Sequence, residues 1–493
     1  MKRLKPIMFV GTCSDAGKSI VNTAFCRIFL QDGYAPAPFK AQNMSLNSYS
    51  TPDGGEIGRA QAVQAEACGI APSTDMNPVL LKPSSDQTSQ VILNGQPVGN
   101  MSAREYFRTS NKEDLWREAL AAFHRLEEQY TPIVLEGAGS ISELNLRDRD
   151  ITNMNMAQKV DAATYLVADI DRGGVFAAVY GSVMLLPEEQ RRLLKGIIIN
   201  KFRGDVSLFD EGRKIIHDLT GVPVVGVIPY FRDIRIEEED SVALANKTAV
   251  AEAGKVNVAV VRLRRMSNFT DFNAIEEDGR FHLYYTDKPS EIDKADIVIL
   301  PGTKNTIDDL SVIRENGVAD AVIRAGRAGK KVIGICGGFQ MLGKRIDDPD
   351  HVEGVADSVE GLGLFPLITV MQTKKVVCQS EFKFKNKGSL CKGYQIHMGV
   401  TSPVDGLSTP HENLNTLPDG TCEGYILNER CWGSYMHGIL DNTIVLDDLA
   451  SGFTDLPETG FNYASFKEKQ YDLLADHVRA AVDLDYIYST LQL

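Results

Sequence analysis

Residues 331–343 read KVIGICGGFQMLG: an apolar run ends at Cys336, Gly337 and Gly338 follow, and helical spacing begins. This pattern predicts a strand that turns sharply into a helix with Cys336 at the apex, the small residues permitting the bend and close backbone approach. A thiol at a helix N-terminus gains thiolate character, and backbone N–H groups beside it can hold an oxyanion. Cysteines in apolar segments more often sit inert in a core. The elbow pattern is what marks Cys336 as a nucleophile. Such a nucleophile needs a base, and His437, in the run SYMHGI at 434–439, supplies one. His397, in YQIHMG at 394–399, is the alternative.

A second constellation lies near the N-terminus. Residues 6–10 are apolar and feed Gly11-Thr12-Cys13-Ser14-Asp15-Ala16-Gly17-Lys18-Ser19, after which residues 20–30 have helical spacing. Strand, glycine-containing loop, lysine, hydroxyl and helix form a phosphate cradle. Backbone N–H groups hold phosphate, Lys18 reaches the terminal phosphates and Ser19 can ligate Mg²⁺. The first glycine falls one position early, with Thr12 in its usual place. Thr12, Asp15, Ala16, Gly17, Lys18 and Ser19 are the expected nucleotide-binding residues. Mg²⁺ beside phosphates calls for carboxylates. Glu136, at the end of the apolar run 132–135, and Asp53, in the polar stretch 43–64, are the candidates, with Glu56 competing for the role of Asp53.

Elements of a definite kind must carry these groups. Strand-like runs recur at 162–171 and 194–200, with polar residues just past their C-terminal ends, where open α/β sheets bind ligands, and at 222–228 before Pro229, the expected last strand of this domain. A second series starts near Val256, and residues 295–300 run into Pro301-Gly302-Thr303-Lys304-Asn305. The alternation predicts mainly parallel sheets flanked by helices. For 493 residues, two large domains and an appendage are expected. The boundaries are 1–235, a linker over 236–255 that holds the acidic run 237–240, a second domain over 256–460, and a helical extension over 461–493 packed on the domain surface. Lys and Arg total 52 against 66 acidic residues, a net charge of -14 that argues against generic nucleic-acid binding. The eight cysteines show neither close pairing nor zinc spacing, which fits a reducing compartment. Gly11 and Asp15 interrupt the first apolar run, so neither a signal peptide nor a membrane span is expected. A cytoplasmic protein is the reading.

The motif at 334–340 together with His437-Gly438 resembles the triad-type glutamine amidotransferases, and almost the whole chain resembles the cobyric acid synthase family of the cobalamin pathway. Its first half is similar to the dethiobiotin synthetase-like ligases, which share the early glycine. ParA-type partition ATPases carry a signature lysine where this chain has Cys13. The resemblance implies an α/β protein: a P-loop dethiobiotin synthetase-like parallel-sheet domain, then a class I glutamine amidotransferase-like α/β domain. It implies that Lys40 faces the phosphates, that Asn200 reads adenine, and that Glu136 serves the metal. Gly302 and Thr303, with Gly337, would complete an oxyanion hole, and Gln340 would contact the substrate glutamine. The stretch 80–92 is attributed to the acceptor side, with Lys82 and Gln90 for acetate and propionate side chains. The wording MSNFTDF at 266–272 is also characteristic of the family, and is expected to face the first domain.

The implied reaction is four ATP-dependent amidations of adenosylcobyrinic acid a,c-diamide at its b, d, e and g carboxylates. Glutamine and ATP are cosubstrates, Mg²⁺ is the cofactor and a corrinoid the small-molecule partner. Nucleic acid and membrane are not expected as partners, and a homo-oligomer is left open. Cobyrinic acid a,c-diamide synthase is the enzymatic alternative. An ATP-dependent scaffolding protein with a decayed glutaminase is the non-enzymatic one, disfavoured by intact Cys336 and His437 and by Cys13. One departure stands out: Ile439 occupies the position where such amidotransferases commonly carry a carboxylate. A Cys–His dyad is therefore expected, with no single carboxylate orienting His437 and with Asp441 not established as a replacement.

Overall fold

The computed structural model describes residues 3–83, 88–102, 112–238, 247–354, 356–404, 413–454, 456–457 and 460–493. Residues 84–87 of the acceptor stretch and residues 239–240 of the acidic run lie outside them. The chain forms two compact units, each assembled from separated segments. One comprises Met1–Met44, Glu56–Glu237 and Ser465–Leu493; the other comprises Ser45–Gly55 and Glu238–Ala464.

The first unit is built on a six-stranded sheet in the order Val224–Pro229, Leu194–Phe202, Ala163–Asp169, Ile7–Gly11, Ile133–Glu136, Ala37–Phe39. Every neighbouring pair is parallel. The strands read as continuous apolar runs because both faces are covered. Ile7, Phe9, Val134, Tyr165, Val167 and Ile198 enter one core, while Met8, Val10, Leu135, Leu166, Ala168 and Ile199 enter the other. The first strand of the chain is central, and the strands on its two sides come from later, different parts of the sequence. The loop leaving its C-terminal end is thus at the switch point where such sheets take ligands.

Two additions complete this unit. Gln42–Met44, Val79–Pro83, Thr88–Leu93 and Gln96–Ser102 form a small sheet. Its last hairpin turns through Asn94 and Gly95, both at positive φ (47° and 80°), as a two-residue turn between twisted strands requires. The helices Tyr463–Arg479 and Leu484–Thr490 bring Tyr471, Leu474, Val478 and Ile487, with Leu491 just beyond them, into the core that holds Phe25 and Phe29 of the helix Lys18–Gln31. Arg27 Nε donates to Asp472 at 2.7 Å, and Tyr488 packs edge-on against Phe29.

The second unit has a six-stranded sheet in the order Phe281–Thr286, Val256–Val261, Ile297–Leu300, Lys331–Ile335, Cys431–Ser434, Tyr425–Asn428, parallel except for the last pair. Between its fourth and fifth strands in space the chain makes a long antiparallel ribbon, Leu367–Phe384 with Cys391–Pro403. The short strand Met436–His437 joins the edge of that ribbon, with His437 opposite Tyr394.

Candidate active sites

The turn at Cys336 forms as the sequence predicts. The strand Lys331–Ile335 ends at Cys336, whose backbone sits at φ 51° and ψ −109°, and the helix Gly337–Leu342 follows. A non-glycine residue held at positive φ stores strain, which suits a nucleophile presented at an apex. The bend demands its glycine: a Cβ on Gly338 would lie 2.0 Å from the Leu300 carbonyl oxygen. Strand register brings the candidate base to this apex. Cys431–Ser434 runs parallel to the elbow strand with Ser434 beside Ile335, and Cys336 N–H donates to the Ser434 carbonyl at 2.8 Å. His437 lies just beyond.

The carboxylate absent from position 439 comes from elsewhere. His437 Nδ1 lies 2.7 Å from Asp271 Oδ2, and Gly438 N–H donates to Asp271 Oδ1 at 3.0 Å. Both partners are buried, with side chains 2% and 3% exposed. Burial lowers the His437 pKa, but Asp271 and then Cys336 outweigh it by charge and hydrogen bonding and raise it to about 10. The imidazolium form is thus favoured beside a cysteine sulfur, the pairing that activates a thiol. The expectation of a dyad without an orienting carboxylate is corrected: the arrangement is Cys336, His437 and Asp271. Position 271 lies in the stretch singled out at 266–272, which was the available signal, but nothing local in that wording ties it to His437.

The other glutaminase candidates gather around this pair. Gly302 adjoins His437, since a Cβ on Gly302 would lie 3.1 Å from His437 Cε1. Thr303 adjoins the elbow: its backbone nitrogen would be 3.2 Å from a Cβ on Gly337. The Thr303 hydroxyl donates to the Asp309 carboxylate, which also accepts the Arg264 and Arg265 N–H groups at 3.1 and 3.2 Å, and this fixes the loop. Gln340 is buried, its Oε1 accepting from Thr306 Oγ1 (2.9 Å) and its Nε2 donating to Tyr435 (3.3 Å). Thr306 is held in turn by Glu353, which accepts its N–H at 2.7 Å and which burial pushes up to about 7. The alternative base, His397, stacks on Tyr435, and burial lowers its pKa to about 4. Its Nδ1 faces the Gly399 carbonyl and its Nε2 faces Gln395.

In the first unit, the loop after Ile7–Gly11 carries Gly17 at φ 94°. Lys18 Nζ donates to the Cys13 and Gly139 carbonyls at 3.2 and 3.0 Å. Thr12 N–H donates to Val167 O, and Asp15 Oδ2 meets Arg172 at 3.1 Å. Asn200 Nδ2 donates to the Ala16 carbonyl at 2.9 Å and lies 2.1 Å from where a Gly17 Cβ would sit, so it fastens the loop.

Glu136 is the hub of the site. Its Oε1 accepts from Ser19 Oγ and Lys40 Nζ, both at 2.8 Å, and its Oε2 accepts from Gln64 at 2.6 Å. Burial pushes the Glu136 carboxyl up, but Lys40, Gln64 and Ser19 more than offset this and hold it below the usual range. Ser19 and Glu136 offer two hard oxygen donors at the mouth of the loop. That set suits Mg²⁺, which takes one or two protein oxygens and fills its remaining positions with phosphate and water. Asp53 belongs to the other unit, where it is exposed and accepts from Thr51. Glu56, its competitor, is buried in an ion pair with Lys82 at 2.6 Å. Gln90 is the cross-strand partner of Lys82, and its buried Oε1 has no hydrogen-bond partner among the described residues. Beside Gly139 lies a cavity of about 240 Å³, lined in part by Gln42, Ser140, Arg147, Arg149, Asn153 and Gln190.

Comparison with known proteins agrees with this division. Residues 7–243 match the CobQ/CobB/MinD/ParA nucleotide binding domain, and residues 257–444 match the CobB/CobQ-like glutamine amidotransferase domain. A cobyric acid synthase of Parabacteroides distasonis is 63% identical over 100% of this chain and 99% of its own length. The chain belongs to the cobyric acid synthase family. A cobyric acid synthase of Bacteroides fragilis is 60% identical over 99% of each chain, and one of Salmonella agona is 45% identical over 99% of this chain and 98% of its own. Membership of the cobyric acid synthase family covers both units, including residues 45–55 and 465–493. No described helix is long and apolar enough to cross a membrane.

Proposed function

We propose that this chain uses glutamine and ATP to amidate the b, d, e and g carboxylates of adenosylcobyrinic acid a,c-diamide, giving adenosylcobyric acid. The observation that carries the reading is the buried Cys336–His437–Asp271 set in the same chain as the Lys18–Ser19–Glu136–Lys40 set, within a full-length family of that name.

Cys336 Sγ attacks the glutamine carboxamide carbon, and the oxyanion is held by the backbone around Gly337 and the Gly302–Thr303 loop. As the C–N bond breaks, the imidazolium of His437 gives its proton to the leaving nitrogen. Water, deprotonated by His437, then cleaves the thioester and restores the thiol pair. Asp271 holds Nδ1 throughout, so that Nε2 serves the sulfur and the water. In the first unit, a corrinoid carboxylate oxygen attacks the terminal phosphorus of ATP and ADP leaves. Ammonia attacks the resulting acyl phosphate carbon, a proton is lost and phosphate departs. Lys18 and Lys40 bring positive charge to the phosphates. Mg²⁺ held by Ser19 and Glu136 would supply further charge neutralisation of the transferring group.

The cavity of about 240 Å³ beside Gly139, whose carbonyl accepts from Lys18, is the place assigned here to a side-chain arm of the corrinoid. A macrocycle would remain outside it and turn between amidations. All eight cysteines are free thiols, in keeping with a cytoplasmic setting. The test is product analysis with purified protein, glutamine, ATP, Mg²⁺ and the a,c-diamide. Stepwise appearance of four added amides is expected. Sustained glutamine hydrolysis with no change in the corrinoid would refute the acceptor assignment.

A further inference from the structure

Residues 45–55 are flanked in sequence by strands of the first unit, Gln42–Met44 and Glu56–Gly58, yet they belong to the second unit. Their contacts converge on the glutaminase base. Asn47 Oδ1 accepts the Phe269 N–H at 3.2 Å, and Asn268 Oδ1 accepts the Ser48 N–H at 3.0 Å. Tyr394 Oη donates to the Ser48 carbonyl at 3.3 Å, and its ring packs 4.7 Å from Tyr49 and stacks 5.4 Å from His437. Gln379 Nε2 donates to the Ser50 carbonyl at 2.8 Å. Asn47 and Ser48 are both buried, and Ser45 Oγ accepts the Asn47 N–H, which fixes the segment locally.

The turn that this segment grips is the one that presents the carboxylate. Asn268 is left-handed (φ 52°, ψ 42°), the single turn of helix Phe269–Phe272 follows, and Asp271 N–H donates back to the Asn268 carbonyl. Asparagine enters this left-handed region more readily than other side chains, so the backbone shape is accessible and the bonds around it decide how firmly the turn is held. Here the reciprocal bonds from Asn47 and Ser48 provide that hold.

We propose that Asn47 and Ser48 are positioning residues of the glutaminase: they fix the turn that holds Asp271 and, through it, the imidazole that serves Cys336. This rests on the reading of Cys336, His437 and Asp271 as a glutaminase. His437 is faced by Asp271, Cys336, His397 and the Tyr394 ring, with Asp441 on the turn that follows it. A looser Asp271 therefore lets His437 lose its proton at lower pH.

The test uses the full-length chain with Asn47→Ala and, separately, Asn268→Gly, which keeps the left-handed backbone and deletes the acceptor for Ser48. In each variant kcat for glutamine hydrolysis should fall about tenfold, the factor one hydrogen bond commands, with KM little changed. The alkaline limb of the pH profile should move to lower pH, and ammonia-driven amidation should keep its wild-type rate. Unchanged hydrolysis in both variants would overturn the proposal. A fall in kcat with the alkaline limb unmoved would overturn it too, because a merely structural role lowers the active fraction without altering the base. Loss of hydrolysis in Cys336→Ala tests the underlying glutaminase reading separately.

Discussion

Replacing Asp271 by asparagine tests the glutaminase at the contact that gives His437 its orientation. The change is nearly isosteric, and the carbonyl of the new side chain can still accept the Gly438 N–H that Asp271 Oδ1 accepts at 3.0 Å. That leaves the amide nitrogen against His437 Nδ1, where the carboxylate oxygen sits at 2.7 Å. An amide nitrogen donates, so the neutral ring must carry its proton on Nε2 and has no lone pair for the Cys336 thiol. The charge-assisted bond alone is worth roughly 1.5–3 kcal/mol. Adding the wrong tautomer, the expected fall in kcat for glutamine hydrolysis is about 10²–10⁴-fold. Hydrolysis should be measured with electrophilic labelling of Cys336, and ammonia-driven amidation should serve as the internal control for folding. Retention of more than about a fifth of wild-type hydrolysis, a barrier change of only ~1 kcal/mol, would refute the triad. Asp441→Asn should remain close to wild type.

Three further outcomes follow from the same geometry. Cys336→Ala should abolish glutamine-driven synthesis while leaving ammonia-driven synthesis intact, measured as corrinoid product at raised pH with each nitrogen source. Lys18→Ala should depress amidation from both sources by roughly the 2.7–4 kcal/mol that a well-placed electrostatic donor supplies, read from kcat with saturating ammonia. The raised pKa of His437 makes a stability contribution that is fully present below about 6.5 and is lost as pH rises through about 10. The excess stability of wild type over Asp271→Asn in urea titrations should therefore shrink between those pH values.

What could be read from the sequence was whatever chemistry is written in consecutive residues. The elbow at Cys336 and the loop ending in Lys18-Ser19 are each a strand, a glycine-rich turn and a helix, so their geometry is local. Glu136 was legible because a carboxylate at the end of a buried strand has few places to point. Asp271 was not, because its partner is set by strand pairing far along the chain and by a left-handed turn that no pattern of hydrophobicity encodes. Lys82 and Glu56 illustrate the converse: the sequence offers each by itself for ligand or metal, and nothing in it shows that the two meet in a buried ion pair. The extension read as surface packing proves to supply Tyr471, Leu474 and Ile487 to the core around Phe25 and Phe29.

That last arrangement constrains how the protein can be made and inherited. During synthesis on a ribosome, the nucleotide-binding unit emerges first yet cannot close its core until residues 465–493 have been translated, after the entire second unit. The second unit in turn needs residues 45–55, which emerge early and must wait for it. A gene broken between the halves would strand each product without a segment encoded in the other. The interleaving thus resists fission into separate subunits, and it keeps the two units in one-to-one proportion without any need for matched expression.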